Sequence, residues 1–333
     1  MPEVSAELAE LADPSVPPVS AVSTVLHYAA PLTPDAPDEP WCIDALSRPP
    51  EVIFNFRMVP HETVVTDLRD GEVRPTLDTM GFEKVIAPTR VDQRALADQS
   101  GPALDRYRRE TVELLTSVTG AARVELFDAT LRRQDATPSG ATPNQTPHLR
   151  VHVDQTPSSA RARAVLRGGE ERRYGRFQIV NVWRPLLEPV LNYPLALCDY
   201  RSLDVRADLV ATRLDFPDWL KDRESYSVKH SAKHRWHYWR SLSPDEVLLF
   251  KCYDSASRSL ALAAGDADAG DVDAGGAVGC GAGDGGAEPP GTPGAAAADV
   301  AGLCPHTAFY DDNGPAEGHL RTSLEMRAVL FYD

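Results

Sequence analysis

The sequence is poor in the features that most quickly assign a protein to a class. Its 333 residues contain five cysteines, and no two of them form a CxxC pair. They therefore indicate reduced thiols, and neither a disulfide framework nor a zinc cluster. No stretch approaches the roughly 18 apolar residues that a membrane span needs. The N-terminus also lacks the basic and apolar regions of a secretion signal. We therefore expect a cytoplasmic protein that does not enter a membrane.

Basic residues are also scarce. The chain has 34 Lys and Arg against 49 Asp and Glu, which gives a formal net charge of −15 at pH 7. Phosphate repels such a chain, which argues against nucleic acid or an anionic membrane as its partner. No GxGxxG or GxxxxGK[ST] motif follows a β-like run, so a nucleotide-phosphate site is not indicated. The expected partner is a small molecule, and the oligomeric state is left open.

The composition predicts three kinds of segment. Hydrophobic residues make up 42% and charged residues 25%, as in ordinary globular proteins. Residues 1–50 are rich in proline, which removes backbone donors and blocks helices, so they are predicted to form an extended leader. Residues 51–333 are predicted to form one domain. Within it, residues 261–302 are rich in Ala, Gly and Asp and contain no aromatic residue. We expect a disordered insert there, because this stretch cannot offset its ordering entropy.

Short β-like runs separated by Pro, Gly and Asp turns dominate the predicted domain. Residues 51–58 and 61–70 are predicted as the two strands of a hairpin. A helix is predicted over 102–119, with Gly120 as its stop, and a second over 157–167. The later runs fall at 123–132, 149–153, 176–183, 194–200, 226–229, 235–239, 246–253, 305–310 and 321–332. This pattern is typical of a mainly β barrel or sandwich with flanking helices.

The sharpest chemical signal is the segment Leu149–Thr156, which contains His152 and Asp154. Residues two apart on a strand point to one side, so this imidazole and this carboxylate can meet at one point. They would supply two of the three protein ligands of a 2-His-1-carboxylate iron site, which leaves three positions open. A pair of satisfied polar side chains is the alternative reading of an HxD motif by itself.

The C-terminal region supplies the residue types that are missing from the HxD segment. His306 opens a β-like run, and Arg321 and Ser323 open the last one. A guanidinium can bind a carboxylate through two hydrogen bonds, and a hydroxyl two residues further along the strand can add a third. The order of HxD, distal His and Arg-x-Ser therefore predicts an iron site followed by a clamp for a dicarboxylate cosubstrate.

This order resembles the Fe(II)/2-oxoglutarate-dependent oxygenases, whose fold is a double-stranded β-helix, or jelly roll. The resemblance narrows to a fungal and bacterial secondary-metabolite group that includes gibberellin-desaturase-like and aspergillic-acid-hydroxylase-like enzymes and the cephamycin 7-alpha-methoxylation component. It covers roughly residues 50–260 and 304–333. The segments that carry it are HVDQT (152–156), NVWRPL (181–186), PLALCD (194–199), HRWHY (234–238), PDEVLLFKCYDS (244–255), HTAF (306–309) and RTSLEMR (321–327).

The resemblance implies His152, Asp154 and His306 as iron ligands and Arg321, with Ser323, as the 2-oxoglutarate clamp. The spacing from His306 to Arg321 is longer than this family leads us to expect. Arg327 therefore stays open as a second candidate for the clamp, since alternation along the strand does not separate the two arginines.

Four further residues are predicted as possible substrate contacts: Arg184, Trp183, Trp236 and Tyr238. Because Trp183 and Arg184 alternate across a strand, only one of them can face a cavity. An ion pair with Glu188 or Asp199 is the alternative for Arg184. The remaining histidines in polar or turn-like contexts are expected at the surface, namely His27, His61, His148, His230 and His319.

The predicted function is oxidation of a small organic molecule with Fe(II), 2-oxoglutarate and O₂, as a hydroxylation or a desaturation. One alternative is a jelly-roll accessory subunit of a biosynthetic complex that has lost turnover. Another is a cupin-like metalloenzyme that does not use 2-oxoglutarate. The complete set of predicted ligands argues against the first alternative, and Arg321 and Ser323 argue against the second.

Overall fold

The computed structural model describes residues 20–34, 40–49, 51–98, 101–134, 147–168, 174–216, 223–265, 299–314 and 320–333. Residues 1–19 of the predicted leader and 266–298 of the predicted insert lie outside these ranges, as does His319. The leader and the insert therefore stay predictions over those residues. None of the helices within the described ranges is long and apolar enough to cross a membrane.

Strands outnumber helices throughout the described residues. The strands are β1 (Ala21–Pro31), β2 (Trp41–Asp44), β3 (Ile53–Phe54), β4 (Phe56–Asp67), β5 (Phe82–Ile86), β6 (Arg123–Arg133), β7 (His152–Val153), β8 (Arg176–Pro185), β9 (Leu195–Cys198), β10 (Leu209–Asp215), β11 (Arg223–Val228), β12 (Trp236–Tyr238), β13 (Glu246–Asp254), β14 (His306–Ala308) and β15 (Thr322–Tyr332). The helices are α1 (Gln93–Ala97), α2 (Gly101–Thr119), α3 (Pro157–Gly168), α4 (Val205–Asp208) and α5 (Arg258–Ala263). The predicted helices at 102–119 and 157–167 are confirmed. Each predicted strand after Gly120 overlaps an observed one, but the run predicted at 149–153 is a strand only at His152–Val153, and β10 was not predicted.

The strands form two sheets in which chain neighbours are seldom sheet neighbours. The larger sheet has the order β1-β4-β12-β9-β14-β7-β11-β10-β2-β3, and the smaller has the order β5-β13-β8-β15-β6. Most pairings are antiparallel, and β14 lies between β9 and β7 in the larger sheet. This order brings residues distant in sequence, such as His152 and His306, onto adjacent strands.

Alternating side chains of the smaller sheet enter two different hydrophobic layers. The inner layer lies between the two sheets and includes Trp183 and Phe250 together with Leu197 of the larger sheet. The outer layer lies under α2 and includes Val182 and Met326. The period of two along a strand accounts for this division, since neighbouring residues point to opposite sides.

Helix α2 covers the outer layer with one apolar stripe. Its buried residues are Ala103, Tyr107, Thr111 and Leu115, each four positions after the one before, so they lie along one side of the helix. Gly120 follows the helix with a φ of 69°, and its N–H donates to the carbonyl of Thr116 at 3.0 Å. This left-handed conformation favours glycine, so the predicted stop is confirmed with its physical cause.

Two predictions for the first part of the chain need correction. The hairpin predicted for 51–58 and 61–70 is wrong, because β4 runs unbroken through Pro60 and pairs with β1. Proline has no backbone N–H to donate to a neighbouring strand. Pro60 is tolerated because β12 pairs with β4 only from Val65 onwards. In addition, the predicted leader contributes β1 and β2 to the larger sheet. The side chain of Tyr28 in β1 is 1% exposed within the core.

Candidate metal centre

Two histidines and one aspartate converge on one point of the inner layer. His152 opens β7 and lies directly opposite His306 of β14, while Asp154 follows His152 by two residues. One ligand atom from each of the three residues lies within 4.8 Å of the others. His152 Nε2 and Asp154 Oδ1 are 3.4 Å apart. The predicted trio is therefore brought together and could hold one metal ion.

Backbone carbonyls orient both imidazoles for metal binding. Nδ1 of His152 lies 2.7 Å from the carbonyl oxygen of Arg150, and Nδ1 of His306 lies 3.0 Å from that of Cys304. A carbonyl only accepts hydrogen bonds, so each Nδ1 carries the proton and donates it. Each Nε2 then keeps a free lone pair, which is the arrangement that outer partners of metal-bound histidines impose.

The electrostatics of the site favour the protonation states that a metal requires. Burial, together with the nearby charge of His306, lowers the pKa of His152 to about 4, so its imidazole is neutral at pH 7. Burial opposes ionisation of Asp154. Even so, the positive charge of Arg327 holds its pKa well below the usual range. A neutral imidazole and a carboxylate are the forms that bind cations.

Asp154 is held by its second oxygen. Asn181 Nδ2 donates to Asp154 Oδ2 at 2.8 Å, and Arg327 Nε donates to the same atom at 2.9 Å. Arg327 also forms ion pairs with Asp128 and Glu325. These contacts leave Oδ1 directed toward the histidines. The Arg327 guanidinium thus contacts three carboxylates of the protein itself. This argues against Arg327 as the clamp for 2-oxoglutarate.

Arg321 has a different environment from Arg327. Its Nε donates to Ser323 Oγ at 3.1 Å and its Nη1 to the carbonyl of Tyr193 at 2.9 Å, while the guanidinium lies 5.0 Å from the centre of the Trp183 ring. Arg321 is 5% exposed, and among the described residues no carboxylate lies within ion-pair distance of it. Burial and the charge of Arg132 lower its pKa to about 9. A buried cation without a counter-ion fits a site for an anionic ligand.

Only one of the four predicted substrate contacts lies at the site. Trp183 lines the cavity beside His152 and His306. Trp236 and Tyr238 instead pack in the hydrophobic core. There, Trp236 Nε1 donates to Tyr28 Oη at 2.7 Å, and the ring of Tyr238 contacts that of Phe309.

Arg184 lies on the outer side of the smaller sheet, away from the metal centre. Its three guanidinium nitrogens donate to Tyr107 Oη and to the carbonyls of Ala87 and Pro244, at 2.5 to 2.9 Å. The predicted substrate contact is therefore wrong, and so is the predicted ion pair with Glu188 or Asp199. Arg184 therefore connects β8 to α2, to the residue that follows β5 and to a residue that precedes β13.

Sequence reasoning missed several residues around the trio. His148 was expected at the surface and is exposed, but it lines the cavity with its ring 5.2 Å from that of His152. His148 lies an even number of positions before His152, and in a β-like run this spacing predicts that both side chains point to the same side. Asn181 and Glu325 were also missed, because their roles depend on pairing between β8 and β15.

Comparisons with known proteins agree with this geometry. Residues 26–268 match the family described as an oxidoreductase/YMDC permease-like domain. The hydroxylase/desaturase efuI of Hormonema carpetanum is 28% identical over 298 residues, which cover 81% of this chain and 83% of that protein. The Fe(II)/2-oxoglutarate-dependent dioxygenase nvfI of Aspergillus novofumigatus is 31% identical over 220 residues, which cover 62% of this chain and 75% of that protein.

A solved structure shares the fold. The iron and alpha-ketoglutarate-dependent endoperoxidase NvfI superimposes with a TM-score of 0.73 at 22% identity, over 94% of this chain and 98% of that chain. This likeness confirms the predicted jelly roll. The sequence relatives confirm the predicted oxidoreductase class and the dependence on Fe(II) and 2-oxoglutarate. The chain therefore belongs to the oxidoreductase family whose model matches residues 26–268, and it is similar to proteins named as Fe(II)/2-oxoglutarate-dependent dioxygenases.

Proposed function

We propose that the protein oxidises a small organic molecule of secondary metabolism, with His152, Asp154 and His306 as its iron ligands. The observation that carries the proposal is the convergence of two imidazoles and one carboxylate near the buried guanidinium of Arg321, which has no ion-pairing carboxylate among the described residues. The names of the relatives include a hydroxylase/desaturase and dioxygenases, which supports this reaction class. We also propose a cytoplasmic location, in keeping with the reduced thiols of the described residues.

Arg321 is proposed to hold the distal carboxylate of 2-oxoglutarate. Its planar guanidinium suits two parallel hydrogen bonds to a carboxylate. Ser323 and the Tyr193 carbonyl fix the orientation of this side chain, and the face of Trp183 covers its guanidinium plane. Removing the cation from water in this way strengthens its interaction with an anion.

The remaining side chains position the three proposed ligands. Arg327 and Asn181 hold Asp154 by Oδ2, while backbone carbonyls hold the two imidazoles. When bound, Fe(II) with 2-oxoglutarate and O₂ supplies the power to oxidise a C–H bond. The chain itself fixes the geometry and limits the access of water. Hydroxylation or desaturation then depends on where the substrate lies relative to His152 and His306.

The proposal is tested by anaerobic titration of the metal-free protein with Fe(II) and then with 2-oxoglutarate. We expect the visible charge-transfer band that bidentate chelation to iron produces. His306→Ala should abolish metal binding. Arg321→Gln should keep metal binding but weaken the response to 2-oxoglutarate. Arg108→Gln is the matched control, because Arg108 lies on α2 with its side chain 47% exposed.

Each of the other possible outcomes favours an alternative function or an alternative clamp residue. Iron binding without a band would contradict the 2-oxoglutarate clamp and favour the cupin-like enzyme. Absence of iron binding would favour the accessory subunit. A normal band in Arg321→Gln, with the band lost in Arg327→Gln, would move the clamp to Arg327.

A further inference from the structure

A row of four polar side chains runs along one side of the chain at β7. His148, Arg150, His152 and Asp154 occupy alternate positions, so they point to the same side of the larger sheet. His148 is exposed, Arg150 is partly buried and His152 is 8% exposed. The chain is held extended there by a bridge between Arg150 and His27 of β1 and by a hydrogen bond between the backbones of Ala308 and His148. The row therefore leads from solvent to the metal centre.

Arg150 is the member of this row with unused hydrogen-bonding capacity. Its Nη1 donates to Ser227 Oγ at 3.0 Å, whereas a guanidinium offers five N–H donors. Among the described residues, no carboxylate lies within ion-pair distance of Arg150. Arg327, by contrast, contacts three carboxylates, and Arg184 has three oxygen acceptors. Arg150, like Arg321, is thus a cation near the trio that has no ion-pairing carboxylate among the described residues.

The side chains of β11 extend a polar surface beside Arg150. Ser227 lies opposite His152, and its hydroxyl accepts from Thr212 Oγ1 at 2.8 Å as well as from Arg150. Ser225, two residues along β11 on the same side, is 3% exposed, and its hydroxyl has no hydrogen-bond partner among the described residues. An unpaired buried hydroxyl is costly unless a ligand or a water satisfies it. The surface therefore offers donors next to the metal centre.

We propose that Arg150, supported by the hydroxyl of Ser227, binds a carboxylate of the organic substrate, so that the substrate is an organic acid. The inference rests on the proposed function. Arg150 precedes β7 of the larger sheet and contacts Ser227 of β11, whereas Arg321 directly precedes β15 of the smaller sheet. Because each of these two guanidiniums has no ion-pairing carboxylate among the described residues, they offer separate sites for cosubstrate and substrate. The planar fork of arginine makes the carboxylate the best fit among organic anions.

The test measures binding of matched probes next to the metal. The probes are hexanoate, 3-phenylpropanoate and indole-3-propanoate, each paired with its primary amide. Mn(II) replaces Fe(II) in the presence of 2-oxoglutarate, and paramagnetic relaxation of the probe protons reports binding at the centre. We expect at least one acid to bind ten times or more tightly than its amide. Arg150→Gln should reduce this preference to less than twofold, and Arg150→Lys should restore part of it.

Controls separate this inference from the proposed function. Arg213→Gln on β10, where the side chain is 60% exposed and paired with Asp215, should keep the full preference. Arg150→Gln should keep the full Fe(II) and 2-oxoglutarate absorption band, which Arg321→Gln should weaken. The inference fails if no acid binds more tightly than its amide, or if the preference survives in Arg150→Gln. It also fails if Arg150→Gln loses the band while Arg150→Lys remains folded, because Arg150 would then bind the cosubstrate.

Discussion

The inner and outer layers of the smaller sheet are built by the same strands and differ in how their polar groups are satisfied. On the outer side, Arg184 is fully engaged by Tyr107 and two carbonyls amid apolar side chains. On the inner side, Arg321 lacks a counter-ion, and Asn181 Oδ1 has no hydrogen-bond partner among the described residues. The outer layer therefore stabilises the fold, while the inner layer carries unsatisfied groups that a metal and its ligands can use.

The largest expected effect is loss of the metal from the inner layer. His306→Ala removes one of three proposed ligands and should weaken Fe(II) binding by more than the roughly 100-fold that loss of an outer partner causes. Calorimetric titration with Fe(II) under anaerobic conditions measures the change. The unfolding free energy of the metal-free protein should change far less. Unaltered affinity would remove His306 from the metal centre.

Shortening a side chain in the outer layer should lower the stability of the fold and leave metal binding almost unchanged. Met326 is fully buried under α2, and Met326→Ala should lower the unfolding free energy by about 2–5 kcal/mol, because it leaves a cavity. Fe(II) affinity should stay within a factor of two. Urea unfolding and metal titration of one preparation test both statements. A large loss of affinity at unchanged stability would show that the two layers are not separable.

Sensitivity to pH should come from the inner side of the larger sheet. Burial lowers the pKa of both His152 and His237 to about 4, whereas an unfolded histidine titrates near 6.5. The unfolded chain therefore takes up protons first as the pH falls. The stability that these groups contribute is complete above about pH 6.5 and is lost toward pH 4.

Urea unfolding of the metal-free protein between pH 7 and pH 4.5 measures this loss. His237→Phe should flatten part of the decline, since His237 is 9% exposed and neither of its ring nitrogens has a hydrogen-bond partner among the described residues. Met326→Ala should lower the whole curve without changing its slope. An equally steep decline in His237→Phe would show that other groups cause it.

The smallest expected effect concerns an outer partner of the metal centre. Asn181→Ala removes the hydrogen bond to Asp154 Oδ2 and leaves Arg327 to hold the carboxylate. Fe(II) affinity should fall by about 10-fold, at the lower end of what loss of outer partners causes. Val182→Ala, one residue along β8 in the outer layer, is the matched control and should leave the affinity unchanged. The same loss in both variants would indicate a general distortion of β8.

The residues of the proposed metal centre could be selected from sequence because their signals are local and because their order resembles that of a known family. His152 and Asp154 lie two apart on one strand, and His306, Arg321 and Ser323 follow in the order that the chemistry requires. Helix α2 was predictable for the same reason, since the spacing of its apolar residues and Gly120 are properties of one short segment. The tertiary structure chiefly adds that these segments, which are distant in sequence, lie next to one another.

The choices that sequence left open depend on groups from distant strands. Arg321, which directly precedes β15, and Arg327 within it are an even number of residues apart. Only the neighbouring Asp128, Asp154 and Glu325, which pair with Arg327, distinguish it from Arg321, which has no ion-pairing carboxylate among the described residues. Alternation showed that Trp183 and Arg184 face opposite ways. Which of them faces the metal centre was decided by the packing of α2 on one side and of the larger sheet on the other.

The sequence by itself determined the residue types, their order and their spacing, because these follow from the chemistry of a single segment. The tertiary structure decided which strands are neighbours, which side of each strand is inside, and which guanidiniums are left without a carboxylate. Those outcomes depend on contacts between segments up to about 200 positions apart, such as that of Asp128 with Arg327. Pairing between strands so distant in sequence has no local signature, since any β-like run can pair with several others.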